Sequence, residues 1–294
     1  MFEGFETRDV PGEGATIFCR IKGSGEPLLL LHGYPQTGAM WAPIAERLAK
    51  RFTVIVPDLR GYGRSSAPES SGGEGYSKRR MGADMVAVMR ALGHESFYLA
   101  GHDRGARVAY RLAFDHPDRV RRLALLDILP TLEMWERIDA SGMLSSYHWA
   151  FLAQPNPMPE RLIASDPVFY LDHTLASWTK SKSTAPFASE ALAEYRKSFS
   201  QPGGAHGPCE DYRAGATIDP ADDAADRDAG RRLACPTLVL WGTDGTPAKS
   251  GDPLAIWRSW ADKVEGQAIE SGHFLVEEAP EETLAALERF FFKG

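Results

Sequence analysis

The segment Ser96 to Arg107 carries an apolar run, a Gly-x-Asp-x-Gly turn centred on Asp103, and the start of a helical stretch. Sharp strand–turn–helix elbows of this form usually carry a nucleophilic serine at the centre. Here the centre is a carboxylate, and the bond it would leave behind is different. A serine that attacks a tetrahedral carbon leaves an ether, which water does not readily split. A carboxylate leaves an ester, which a base-activated water can split. Asp103 therefore points away from acyl transfer and towards displacement at an sp3 carbon. The partial positive charge at the N-terminus of the next helix would keep the carboxylate ionised.

Other residues supply the rest of such a reaction. His273, in Glu270-Ser271-Gly272-His273-Phe274, follows the last strand-like segment and suits the base that deprotonates the hydrolytic water. It need not activate Asp103, which is already an anion. Two residues could orient the imidazole. Asp127 ends one apolar run, and Asp244 follows another in a Gly-rich loop. Position favours Asp127. The loop His32-Gly33-Tyr34-Pro35 would give one backbone N–H of an oxyanion hole, from Tyr34, and the residue after the nucleophile, Arg104, the other. Arg104 and Arg107 lie three apart on one helix face. Two guanidinium groups beside a buried nucleophile need an anion to offset their desolvation. A carboxylate-bearing substrate would supply it. The alternative is that they pair with acids of the protein itself.

These residues need elements to hold them. The runs Leu28–Leu31, Thr53–Val56, Ser96–Ala100, Leu123–Leu126 and Thr237–Trp241 are apolar without alternation, as in strands buried on both faces. Helical stretches at Met40–Lys50, Arg79–Leu92 and Ala106–His116 separate them, which predicts a mostly parallel, doubly wound α/β sheet. In such sheets the sites lie at the carboxyl ends of the strands. The rhythm breaks after about Ile128. One helical stretch is predicted over Glu133–Phe151 and another over Ser189–Phe199, with Asp219–Asp228 as a solvated acidic connector. Residues 1–128 and 227–294 are thus expected to form the core, with 129–226 an inserted helical lid. The chain has 294 residues, 43% of them hydrophobic and 25% charged, with a net charge of −7. That balance argues against bulk binding to nucleic acid or an anionic membrane. The acidic start has no signal-peptide pattern, and no apolar run reaches membrane-span length. Cys19, Cys209 and Cys235 show no disulfide or zinc spacing, so a reducing cytoplasm is expected.

Taken together, the Asp103-Arg104-Gly-Ala-Arg107 elbow, His32-Gly33-Tyr34-Pro35, Asp58-Leu59-Arg60-Gly61-Tyr62-Gly63-Arg64-Ser65, Tyr147-His148-Trp149 and Gly272-His273-Phe274 resemble the fluoroacetate dehalogenases, a branch of the α/β-hydrolase superfamily. The resemblance implies Asp103 as nucleophile, His273 as base, Asp127 as the triad acid, and Arg104 and Arg107 as the carboxylate clamp. It implies a halide pocket of His148, Trp149 and Tyr212, the last on the looser match Glu210-Asp211-Tyr212-Arg213. It also implies a cytoplasmic homodimer that needs no cofactor or metal. The expected activity is hydrolysis of haloacetates, fluoroacetate to glycolate and fluoride first. Epoxide hydrolases and haloalkane dehalogenases share the Asp nucleophile and the lid. An uncharged substrate, however, has no use for two buried cations, and a haloalkane site would want a second Trp where Arg104 stands.

Overall fold

The chain, whose computed structural model describes residues 1–292, begins with an antiparallel hairpin of β1 (Glu6–Pro11) and β2 (Thr16–Lys22). The polar composition of β1 hides it as a strand, because nearly all of its side chains are exposed. The apolar runs follow as parallel strands wound through helices. In chain order these are β3 (Glu26–Leu31), α1 (Ala42–Leu48), β4 (Phe52–Pro57), α2 (Lys78–Ala91), β5 (Phe97–His102), α3 (Arg104–Asp115) and β6 (Val120–Leu126). Strand order is β1-β2-β4-β3-β5-β6-β7-β8, with β2 antiparallel to β4 and every pairing from β4 to β8 parallel. Leu28 to Leu31, Val54 to Val56 and Leu123 to Leu126 are fully buried, as strands covered by helices on both faces must be.

Between β6 and β7 (Thr237–Gly242), apart from an isolated bridge at Leu233, the regular elements of the described residues are helices: α4 (Thr131–Arg137), α5 (Ala140–Ser145), α6 (Tyr147–Leu152), α7 (Met158–Ser165), α8 (Pro167–Trp178), α9 (Ser189–Phe199), α10 (His206–Ala216) and α11 (Ile218–Asp228). Because β6 and β7 pair directly, Leu123 opposite Thr237, this excursion leaves the sheet and returns to the neighbouring strand. After β7 come α12 (Thr246–Lys249), α13 (Pro253–Trp260), β8 (Val264–Ile269), α14 (Leu275–Glu278) and α15 (Pro280–Phe291). Residues 293 and 294 of the predicted core segment lie outside the described residues.

Two expectations are corrected here. The single helix predicted over Glu133–Phe151 is three short ones. The chain is extended at Ile138 and Asp139, and the Asp139 side chain caps α5 by accepting from the Gly142 N–H at 2.7 Å. The acidic stretch at 219–228 is not a solvated connector. It is α11, and Asp219, Asp223 and Asp226 are buried against α2 and α3. Asp219 pairs with Lys78, Asp223 accepts from the Tyr110 hydroxyl at 2.8 Å, and Asp226 pairs with Arg111. Composition alone reads such a run as surface; the buried partners that receive it come from elements more than 100 residues earlier.

A second buried network ties α10 to the core. Asp211 pairs with Lys78 and Arg104 and accepts from the Tyr62 hydroxyl at 2.8 Å. Removing one member of such a buried network typically costs about 3–5 kcal/mol, since it strands the remaining charges. The helical insertion is therefore fastened to the sheet domain by charge as well as by apolar packing.

Candidate active site

The elbow begins where β5 ends. Asp103 has φ 47° and ψ −117°, a sparsely populated conformation that turns its side chain out above the sheet. The tight turn requires glycine nearby. A Cβ on Gly105 would strike the carbonyl oxygens of Leu31 and His32, and one on Gly33 would strike the Asp103 side chain. The loop after β3 therefore runs directly beside the elbow. His32 holds that loop in shape. Its Nε2 accepts from the Leu59 N–H at 2.9 Å, which leaves Nδ1 to donate to the Gly33 carbonyl at 3.0 Å.

From this loop the Tyr34 backbone N–H donates to Asp103 Oδ1 at 2.9 Å. Arg104 opens α3, where the first N–H groups of a helix have no intrahelical acceptor. On the far side, His273 Nε2 stands 3.8 Å from Asp103 Oδ2, and its Nδ1 meets Asp127 Oδ2 at 2.6 Å. Asp127 follows β6, and its Oδ1 accepts from the Gly242 N–H at 2.9 Å. The structure thus brings Asp127 to His273. Asp244 lines the cavity but makes no hydrogen bond to His273. His102 lies behind, its Nε2 2.8 Å from the His273 carbonyl.

Charge in this cluster is set by competition. Burial opposes ionisation of Asp103, but His273, His102, Arg104 and Arg107 outweigh it and hold the carboxyl below its ordinary range. Burial pushes His148 down to about 3, so that ring is neutral. Burial also raises the Tyr212 hydroxyl, with Asp103 adding to the effect, so Tyr212 keeps its proton. For His273, burial alone would lower the pKa; the hydrogen bond and charge of Asp127, with Asp103 behind, raise it instead.

The two arginines are not equivalent. Arg104 is fully buried, and its Nε and Nη2 are taken by the Asp211 carboxylate and carbonyl at 3.0 and 2.8 Å. Only its Nη1 lacks a partner. Arg107 lines the cavity beside Asp103, with Nη1 on Leu129 O and Thr131 Oγ1 and Nε unpartnered. Its guanidinium lies 4.6 Å from the centre of the Trp149 ring. His148 and Trp149, on α6, line the same cavity, and Tyr212 packs edge-on at 5.6 Å from the His148 ring and 6.0 Å from Trp149. The His148 Nδ1 and the Tyr212 hydroxyl are buried without a hydrogen-bond partner among the described residues.

The cavity has a volume of about 330 Å³, and Met134 and Lys182 are among its lining residues. Sequence reasoning missed two residues that shape it. Trp178, at the end of α8, packs on His148 at 4.4 Å and edge-on to His273 at 5.5 Å. Asp211 takes up most of Arg104. No motif marks Trp178; Asp211 sits in the Glu210–Arg213 stretch next to Tyr212 and was readable only as a neighbour.

If Nε2 of His273 serves as a base, hydrolysis slows as pH falls and the imidazole takes up a proton. Because Asp127 raises that pKa, the midpoint of the acid limb should lie above 6.5, the ordinary value for His. Turnover measured between about pH 5 and about pH 9 checks this, and a midpoint at or below the ordinary value contradicts it.

Comparison with known proteins agrees with this architecture. Residues 26–280 match the family model for the alpha/beta hydrolase fold. The chain is 43% identical to a fluoroacetate dehalogenase from Burkholderia sp, over 99% of this chain and 95% of that one. It is 35% identical to a soluble epoxide hydrolase from Corynebacterium sp. (strain C12), over 92% and 91%. A crystal structure of a putative alpha/beta hydrolase from Nostoc sp PCC 7120 superposes with a TM-score of 0.97 at 51% identity, over the whole of both chains. With its mostly parallel sheet, its elbow and its helical insertion, the chain belongs to the α/β-hydrolase family, in its fluoroacetate dehalogenase branch, and is a hydrolase.

Proposed function

We propose that the protein hydrolyses haloacetates, fluoroacetate and chloroacetate among them, through a covalent ester on Asp103. The observation that carries this reading is a set of buried, unpaired polar atoms around one ionised carboxylate: Arg107 Nε, Arg104 Nη1, His148 Nδ1 and the Tyr212 hydroxyl. Two cationic groups suit a carboxylate, and the neutral donors packed beside them suit a departing halide. Fluoride leaves poorly unless directed donors replace its water. The Trp149 indole, beside the His148 ring, would be a further donor. The insertion that carries these groups would serve as the lid.

The geometry supports the following steps. Arg107, with Nη1 of Arg104, holds the substrate carboxylate and offsets its repulsion from Asp103. Oδ1 of Asp103 is tied to the Tyr34 N–H, which leaves Oδ2 to attack the halogen-bearing carbon. The C–O bond forms as the C–halogen bond breaks, and halide leaves towards His148 and Tyr212. Water then adds to the Asp103 acyl carbon and gives its proton to His273. The oxyanion develops at Oδ1, where the Tyr34 and Arg104 N–H groups stabilise it. Collapse releases glycolate, restores Asp103 and yields one proton overall.

The relationship to an epoxide hydrolase keeps that activity as the second reading. An epoxide needs hydroxyl donors on its oxygen. In the insertion, Tyr195 is bonded to Glu277 and Tyr170 to Tyr34, and the Tyr212 hydroxyl is buried with no partner among the described residues. Halide release from fluoro-, chloro- and bromoacetate, set against hydrolysis of styrene oxide, decides between the two. The wild type should release halide, and Asp103→Asn should lose on the order of 10³-fold or more. Diol from styrene oxide with no halide from any haloacetate would overturn the proposal.

We also propose a homodimer formed through the insertion. Apart from Met1, the large hydrophobic side chains that are exposed among the described residues all lie there: Leu144, Tyr147, Met158, Leu162, Val168 and Phe169. The cytoplasm, the proposed location, would keep the three free cysteines reduced. No helix of the described residues is long and apolar enough to cross a membrane. Light scattering should give twice the chain mass of 32.3 kDa, falling towards one chain in Phe169→Asp. A wild-type monomer contradicts it.

A further inference from the structure

The segment that carries His273 is held from both sides by one carboxylate. Glu278, at the end of α14, accepts from the Phe274 N–H through Oε1 at 3.0 Å. Through Oε2 it accepts from the Gly272 N–H at 3.0 Å and the Lys180 N–H at 2.7 Å. The His273 N–H itself donates to the Trp178 carbonyl at 2.9 Å. Residues 178–180 form the end of α8 and the turn after it, so the base loop and the insertion meet backbone to backbone. The approach is close: a Cβ on Gly272 would lie 2.5 Å from both Lys180 N and Trp178 O. A carboxylate that takes three amides across such a junction fixes their relative position, because charge-assisted hydrogen bonds are short and strong.

We propose that Glu278 is a positioning residue for the general base, clamping the amides on both sides of His273 and fastening that loop to the end of α8. The inference rests on the ester route proposed above. Along that route the two half-reactions ask different things of His273. Halide displacement asks no proton transfer of His273, since Asp103 attacks as an anion. Ester hydrolysis needs the imidazole placed to take a proton from water while the acyl C–O bond breaks and glycolate leaves. Small displacements of a catalytic group are costly in rate. Loosening the clamp therefore slows the second half-reaction and spares the first.

Glu278→Gln tests this with fluoroacetate as the probe. The variant should lose on the order of tenfold in kcat. KM should fall in parallel, since kcat/KM reports halide release and stays near the wild-type value. A carboxymethyl ester on Asp103 should accumulate, visible by mass spectrometry of quenched enzyme. A role confined to folding would lower kcat/KM and leave no ester. That result, or unchanged kcat, overturns the inference. His273→Asn separates this failure from failure of the route itself. If His273→Asn traps the ester and Glu278→Gln does not, the clamp alone is wrong. If neither traps it and His273→Asn also releases no single-turnover halide, the ester route is wrong and the clamp falls with it. Should Glu278→Gln not fold, Glu278→Asp, shorter and still charged, takes its place: the same fall in kcat with trapped ester supports the clamp, and unchanged kcat or absence of ester overturns it.

Discussion

A carboxylate kept ionised inside the protein is the constraint from which the site follows. Burying Asp103 favours its protonated form, yet the proposed attack on carbon needs its anion. The fold meets this with position rather than with a single partner. The loop after β3 supplies the Tyr34 N–H, α3 supplies Arg104 and Arg107, and His273 stands on the opposite side. They come from three places that meet at the carboxyl ends of the strands: the loop after β3, the start of α3 and the turn after β8. The strained backbone at Asp103 and the glycines packed around it are the steric conditions for bringing them that close.

The same constraint shapes the insertion. Two arginines buried beside Asp103 would themselves be destabilising if both were unpaired. Asp211 neutralises Arg104 from α10, and Lys78 and Tyr62 share the load. Arg107 keeps an unpartnered nitrogen and faces the cavity. Arg104 thus anchors the insertion and keeps one unpartnered nitrogen, while Arg107 is the arginine that lines the cavity. Trp178 then joins the wall of the cavity to the His273 loop, since its ring packs on His148 and its carbonyl holds the His273 amide.

Much of this was legible in the sequence, for physical reasons. Apolar runs without alternation mark β3 to β7, since strands covered on both faces have no polar side. Asp103 stands out because a carboxylate replaces serine within an intact elbow. The hairpin of β1 and β2 was not legible. Its outer strand is solvated and polar, so it lacks the apolar run that marks the others. The burial of α11 was hidden for the opposite reason: its acids look like surface until the cations of α2 and α3 are placed beneath them. The split roles of Arg104 and Arg107 also escaped, because equal spacing on a helix does not tell which side chain meets Asp211. Contacts that depend on a distant partner leave no local trace.

The most direct measurement is a single turnover in water labelled with oxygen-18, with enzyme in excess over haloacetate. If Asp103 displaces the halide, the hydroxyl oxygen of the first glycolate comes from the protein, and the label is found in Asp103 after proteolysis and mass spectrometry. Label in that first glycolate, with none in Asp103, would mean that water attacks the substrate directly, and the account would fail at its centre.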